Sequence, residues 1–357
     1  MRLSKILKEI KAGSMFLREA LVFMVGIFKF VFCIEITSSY FSGKVGRLSS
    51  NLNETYISVG STISCAKKCM RSQCCFSYSY SKNTEECDIH FVVPKEVLPT
   101  DVDSQADWMN FGRGRYYGLP RDCYDLHTWG CPDDVYTVYP ASTTPFKVYC
   151  DMTGGGWTFI QRRFNGSIPF HSKLWSDYKV GFGIASKTGE HWIGNDNIHS
   201  LTTQRGSGME VEFELKHPSG GWYYANYKNF YIENEANWYR LWIGDYSGTA
   251  GDAIHTPDYY PAKKDLNGRY FSTSDEDHDA TNTDNCADSY KAGWWYNKCS
   301  ASWLNAVYSS DGMFQPVSTH PDYRGLYWGK LSLDIKYNGT YASIMETIIK
   351  IKPMDVE

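Results

Sequence analysis

Hydrophobic and polar positions alternate in short runs along this chain, and no sustained heptad appears. Cys75-Phe76-Ser77-Tyr78-Ser79-Tyr80 alternates with a period of two, and Cys87-Asp88-Ile89-His90-Phe91 follows the same pattern, which predicts two strands. Just before them, Cys65 and Cys69 stand at i and i+4, one face of a short helix. Val135–Pro140 and Phe146–Cys150 are two further alternating segments. The apolar run Trp157-Thr158-Phe159-Ile160-Gln161-Arg162-Arg163 follows a glycine triplet at 154–156, a turn feeding a strand. Leu21 to Ile34 is apolar apart from Lys29, too short and interrupted for a membrane span. With Arg2, Lys5, Lys8, Lys11 and Arg18 ahead of it, residues 1–33 read as a secretory signal, and Met15 offers an alternative start. The rival reading is an uncleaved membrane anchor.

The 357 residues suffice for about two domains. Charged residues make up 21% and the net charge is −4, which gives no electrostatic basis for binding nucleic acid or an acidic membrane. Aromatic residues reach 16%, as expected of a loop-rich fold whose core is built from large rings. Of eleven cysteines, Cys65, Cys69, Cys74, Cys75 and Cys87 cluster together. Zinc-type CxxC pairs with partner histidines are missing, so the cluster reads as a disulfide framework made in an oxidising compartment. Cleavage after Cys33 would leave ten cysteines. In a secreted chain the sequons at Asn53, Asn165 and Asn338 are candidate glycosylation sites. Signature motifs of hydrolases, zinc proteases and phosphate-binding loops are missing and the histidines are scattered, so the chain does not read as an enzyme.

The string Cys150-Asp151-Met152-Thr153-Gly154-Gly155-Gly156-Trp157-Thr158-Phe159-Ile160-Gln161-Arg162-Arg163 resembles the signature of the fibrinogen C-terminal domain. Further blocks keep the family's order: Trp175–Gly183, His191–His199, Ala250-Gly251-Asp252, Phe271-Ser272-Thr273 and Gly293–Cys299. The resemblance implies an α+β globe over residues 119–357, with a twisted antiparallel sheet and a loop-rich calcium and ligand subdomain. It also implies the disulfides Cys123–Cys150 and Cys286–Cys299. Residues 45–112 resemble a small disulfide-rich PAN/apple domain, which implies Cys65–Cys87 and Cys69–Cys75. Cys74 and Cys131 are then left over. They are expected to bridge the two domains or to form intermolecular disulfides, and the chain could also oligomerise through the N-terminal module.

Asp275-Glu276-Asp277-His278-Asp279 offers hard oxygen ligands at alternating loop positions, which suits Ca²⁺. On its own such a run is a solvated acidic turn. The resemblance places the family's calcium loop here, with Asp277 and Asp279 giving side-chain oxygens and Thr281 and Thr283 giving carbonyls. It places a ligand pocket beside this loop, organised by a cis peptide at Lys298–Cys299 that aims a backbone N–H at an acetyl oxygen. Tyr290 matches an aromatic wall position, and Tyr308, Tyr323, Tyr327 and Trp328 are further wall candidates. Ser300 stands where acetyl-binding members carry histidine, and Ala306 replaces a frequent glycine. The expected function is a secreted, calcium-supported, lectin-like protein recognising acetylated or other glycan groups on cell or microbial surfaces. The alternative is a protein-binding module, an angiopoietin-like receptor ligand or a matrix or adhesion component.

Overall fold

The computed structural model describes residues 41–354 apart from 46, 49–51, 72–76, 91–101, 104–107, 114–118, 207, 256–264, 314–324 and 335–340. The chain divides into two compact units, Met1–Gly118 and Leu119–Glu357.

The first unit holds a five-stranded antiparallel sheet in the order Phe41–Val45, Trp108–Arg113, Ser77–Ser81, Cys87–His90, Leu52–Tyr56. The helix Thr62–Arg71 opens with the Ser61 hydroxyl accepting from the Ser64 N–H, an N-cap that satisfies one orphan donor. The i, i+4 spacing puts both Cys65 and Cys69 on its buried face, and Cys65 bonds Cys87 on the sheet. Alternation along the strands buries Tyr78 and Tyr80 from one, Cys87 and Ile89 from its neighbour. Val59 and Ala66 complete this small core. Cys69 and Cys131 are each disulfide-bonded to partners outside the described residues. The expected pairings through Cys75 and Cys74 therefore lie outside the described set, as does the signal or anchor segment at 1–33. No helix among the described residues is long and apolar enough to cross a membrane.

The second unit is built on a ten-stranded antiparallel sheet. Its central strands run Trp157–Arg163, Glu346–Pro353, Met209–Lys216, Trp222–Ile232. Met209, Val211, Phe213 and Leu215 point into the core while Glu210, Glu212, Glu214 and Lys216 line the outer face, a period-two pattern with one wet side. On that outer face Lys350, 5% exposed, lies 2.5 Å from Glu214 and 3.1 Å from Glu212. The strands Asp134–Val138 and Phe146–Asp151 form the hairpin expected at the start of this unit. The Cys123–Cys150 bond ties it to the helix Cys123–Thr128. Closing a loop of that length removes chain entropy worth about 3–4 kcal/mol.

One buried ion pair couples this sheet to the loops beyond it. Arg163 and Glu190 are both essentially inaccessible and 3.7 Å apart. Glu190 accepts backbone N–H groups from Phe164, Asn165, Gly166 and Ile168. Burial opposes its charge, but Arg163 and those donors outweigh it and hold the carboxyl below its usual range. The Arg163 guanidinium donates to the carbonyls of Leu304 and Ala306. Beside it, Gln161 Nε2 donates to Asn305 Oδ1, and Asn305 Nδ2 donates to the Gly293 carbonyl. These contacts fix the segments that flank the loop-rich end of the globe.

Candidate functional site

The loop-rich end is assembled from two short antiparallel ribbons, Tyr270–Ser272 with Trp294–Tyr296 and Ser302–Trp303 with Tyr327–Trp328. The one-turn helix Cys286–Ser289 lies beside them, N-capped by Asn285, whose side chain accepts from Asp288 N–H. Cys286 bonds Cys299 and so closes the loop that carries the site.

The acidic loop precedes that helix. Asp277 Oδ1 accepts from the Asp279 N–H at 3.1 Å. Asp279 in turn accepts from Thr281 N–H and Cys286 N–H, both at 2.7 Å. Burial, and then the charge of the neighbouring Asp279 carboxylate, push the Asp277 carboxyl above its usual range. Two carboxylates held together against their repulsion make a local environment that a hard divalent cation would relieve, so Asp277 and Asp279 fit Ca²⁺. Among the described residues no group of three or more His, Cys, Asp or Glu is arranged to hold a metal ion, so further ligands would be carbonyls or water. The Thr281 hydroxyl donates to the Asp284 carbonyl and the Thr283 hydroxyl to the Asp284 carboxylate, so both threonine side chains are engaged within the loop. The loop is anchored from behind. His278 Nδ1 lies 3.1 Å from the Phe271 carbonyl, and the ring packs between Trp175 and Trp238.

The Ala280 N–H donates to the Asn297 carbonyl, joining the acidic loop to the turn at Lys298 and Cys299. No cis peptide bond occurs among the described residues, so the expected cis Lys298–Cys299 bond is not formed. The trans form of such a bond is favoured by about 3–4 kcal/mol. The chain reverses instead through Cys299, held in the left-handed region at φ 59°, with the Asn297 N–H donating to the Cys299 carbonyl. Lys298 is exposed and Cys299 half-buried.

Ser300 does not face an open pocket. It is 1% exposed, its hydroxyl donates to the Ser302 carbonyl at 2.7 Å, and it accepts from the Ser302 N–H at 3.0 Å. Tyr290 is half-buried, with its ring centroid 4.2 Å from Trp303. Trp303 stacks in turn on Tyr327 at 4.3 Å. Trp303 was not among the sequence candidates. No sequence pattern marks it, because its place depends on the pairing of Ser302-Trp303 with Tyr327-Trp328 across one ribbon. Trp328 belongs to the core, where its indole N–H donates to the Gly251 carbonyl. Tyr308 is placed beside the turn at Phe164–Gly166. Its hydroxyl donates to the Phe164 carbonyl, and its ring packs so closely on Gly166 that a Cβ there would lie 2.8 Å away. Tyr323 lies outside the described residues.

Of the sequons, Asn165 is exposed, and its Oδ1 accepts from the Ser167 N–H in a side-chain turn. Asn53 sits in the strand Leu52–Tyr56, and Asn338 lies outside the described residues.

The fold and this end of it define a disulfide-tied globe, a large antiparallel sheet that carries a loop-rich aromatic and acidic end. Residues 119–354 match the family model described as fibrinogen beta and gamma chains, C-terminal globular domain, and the chain belongs to that family. Fibrinogen-like protein 1 of Homo sapiens is 37% identical over 267 residues, 73% of this chain and 80% of its own length. Techylectin-5A of Tachypleus tridentatus is 38% identical over 245 residues, 66% of this chain and 75% of its own. Among solved structures, lamprey fibrin D-dimer complexed with the peptide ligand Gly-His-Arg-Pro-amide has a TM-score of 0.59 and 30% identity, covering 67% of this chain and 75% of that one.

Proposed function

We propose that this chain is an extracellular, non-enzymatic recognition protein whose globe binds a protein or peptide partner, with Ca²⁺ held at the acidic loop. The observation that carries the reading is the state of the expected acetyl position. The Ser300 hydroxyl is closed on its own backbone neighbour, and Trp303 packs against Tyr290, the ring that the resemblance implies as a pocket wall. The similarity to a fibrin fragment in complex with a peptide supports a peptide-sized partner. The disulfide network supports an oxidising, extracellular location. On this reading the N-terminal unit is an accessory disulfide-rich module of PAN/apple type.

A second reading, glycan recognition, is supported by the acidic loop beside Tyr290 and by the similarity to Techylectin-5A. An array of acetylated and non-acetylated glycans, probed in calcium, separates the two. The expected outcome is a blank array, and saturable binding competed by the soluble sugar would replace the protein reading with the glycan one.

Calcium is tested independently. It should raise the melting temperature of the globe, and a chelator should reverse the gain. Asp279→Asn removes a charged acceptor of two backbone N–H groups, so it should destabilise the protein by about 1.5–3 kcal/mol. The variant should also lose the calcium-dependent rise. An unchanged calcium response in Asp279→Asn would remove the loop from consideration as the site.

A further inference from the structure

Trp303 stands directly opposite Tyr327 in an antiparallel pair, and Ser302 opposite Trp328. Side chains alternate across a strand, so Trp303 and Tyr327 share one face of this ribbon and Ser302 and Trp328 the other. The second face goes to the core. Ser302 Oγ donates to the Ala253 carbonyl, and the Trp328 indole N–H donates to the Gly251 carbonyl. The first face meets Tyr290, which the C-terminus of the helix Cys286–Ser289 places beside the disulfide. The indole of Trp303 therefore lies between two phenol rings. Its centroid is 4.2 Å from Tyr290 at an interplanar angle of 35°, and 4.3 Å from Tyr327 at 12°. Those spacings are at or below the short end of the range for aromatic pairs, so nothing further fits between the rings. Trp303 itself is only 5% exposed.

We infer that Trp303 is the specificity-determining residue of this end of the globe: its indole occupies the slot between Tyr290 and Tyr327 and shuts out a small acyl group. The inference rests on reading this region as the binding site. The slot has the thickness and the walls of a site for a flat aromatic ring, and the chain supplies that ring itself. Polar recognition at the slot is weakened by the same packing, because the neighbouring Ser300 hydroxyl is closed on Ser302. The chemical class the slot accepts, once Trp303 is shortened, is a planar apolar aromatic group.

The experiment uses the full chain, with indole and N-acetylglucosamine as probes and thermal unfolding as the readout. Wild type should show no shift with either probe. Trp303→Ala should melt lower, and indole should raise its melting temperature in a saturable way. The double variant Trp303→Ala/Tyr327→Ala, which loses one wall, should lose that saturable response. Trp303→Leu opens part of the slot while keeping apolar volume, and it carries the same test if the alanine variant does not fold. The inference is overturned if folded Trp303→Ala or Trp303→Leu ignores indole, or if N-acetylglucosamine stabilises wild type. A glycan array that lights up only with sugars lacking an acetyl group, while Trp303→Ala still takes indole, removes the protein-partner reading and leaves the slot in place. A blank array with no indole response removes the slot alone.

Discussion

At the scale of single residues, Ser300 and His255 illustrate how local partners decide what a side chain can do. Ser300 was legible as a departure from the acetyl-binding pattern, but its burial and its bonds to Ser302 were not. Those bonds depend on a backbone turn that only the folded ribbon provides. His255 carried no sequence signal. In the fold its Nε2 lies 2.8 Å from the Gly244 carbonyl and its Nδ1 3.7 Å from the Asp265 carboxylate. The Asp265 carboxylate, helped by that carbonyl, outweighs partial burial and raises His255 to about 9. A histidine raised in the folded state stabilises the protein fully below its usual pKa, roughly 6.5. That contribution is lost as pH climbs through about 9. The melting temperature should therefore fall between pH 7 and 10, and Asp265→Asn should flatten that part of the curve. Equal slopes in the two proteins would refute the pairing.

At the scale of elements, the loop-rich end is held by the sheet and not by its own short ribbons. The ribbons are two or three residues per strand, too little pairing to stand alone. Arg163 supplies the tether, donating to Leu304 and Ala306 while paired with Glu190. Arg163→Met should cost about 3–5 kcal/mol, because it leaves a buried carboxylate without its cation. Adding Glu190→Gln should recover part of that loss in chemical denaturation, since the amide oxygen still accepts backbone N–H groups. A double variant no more stable than Arg163→Met would show that the tether, and not the ion pair, dominates. The element pattern was largely readable beforehand. Phe146–Cys150 and Trp157–Arg163 fall on strands, and of Val135–Pro140 all but Tyr139 and Pro140 do, the strand ending at Val138. The strand Met209–Lys216 also alternates plainly in sequence, yet its central place in the sheet does not follow from that pattern.

At the scale of the whole molecule, the two units differ in what holds them. The N-terminal unit has a small core in which Cys65, Cys69 and Cys87 are themselves core residues. Small domains with little buried apolar surface depend on such cross-links. The globe carries a large aromatic core, including fully buried Trp192, Trp294, Trp328 and Tyr296. Reduction should therefore melt the N-terminal unit first, seen in calorimetry as loss or a large downward shift of one transition while the other moves by less. A single cooperative transition lost as a whole on reduction would contradict this division.

The sequence by itself determined the family of residues 119–354, the strands that alternate, and the run of carboxylates at 275–279. These are properties of local pattern, spacing and residue chemistry, which survive without a fold. It could not determine which aromatic rings meet. Tyr290, Trp303 and Tyr327 come together only because two short segments far apart in the chain pair in one register beside a disulfide. The same tertiary contacts closed Ser300 on its neighbour and turned Tyr308 toward Phe164. Contact between distant side chains is set by register and packing, and those are decided only when the whole globe closes around them.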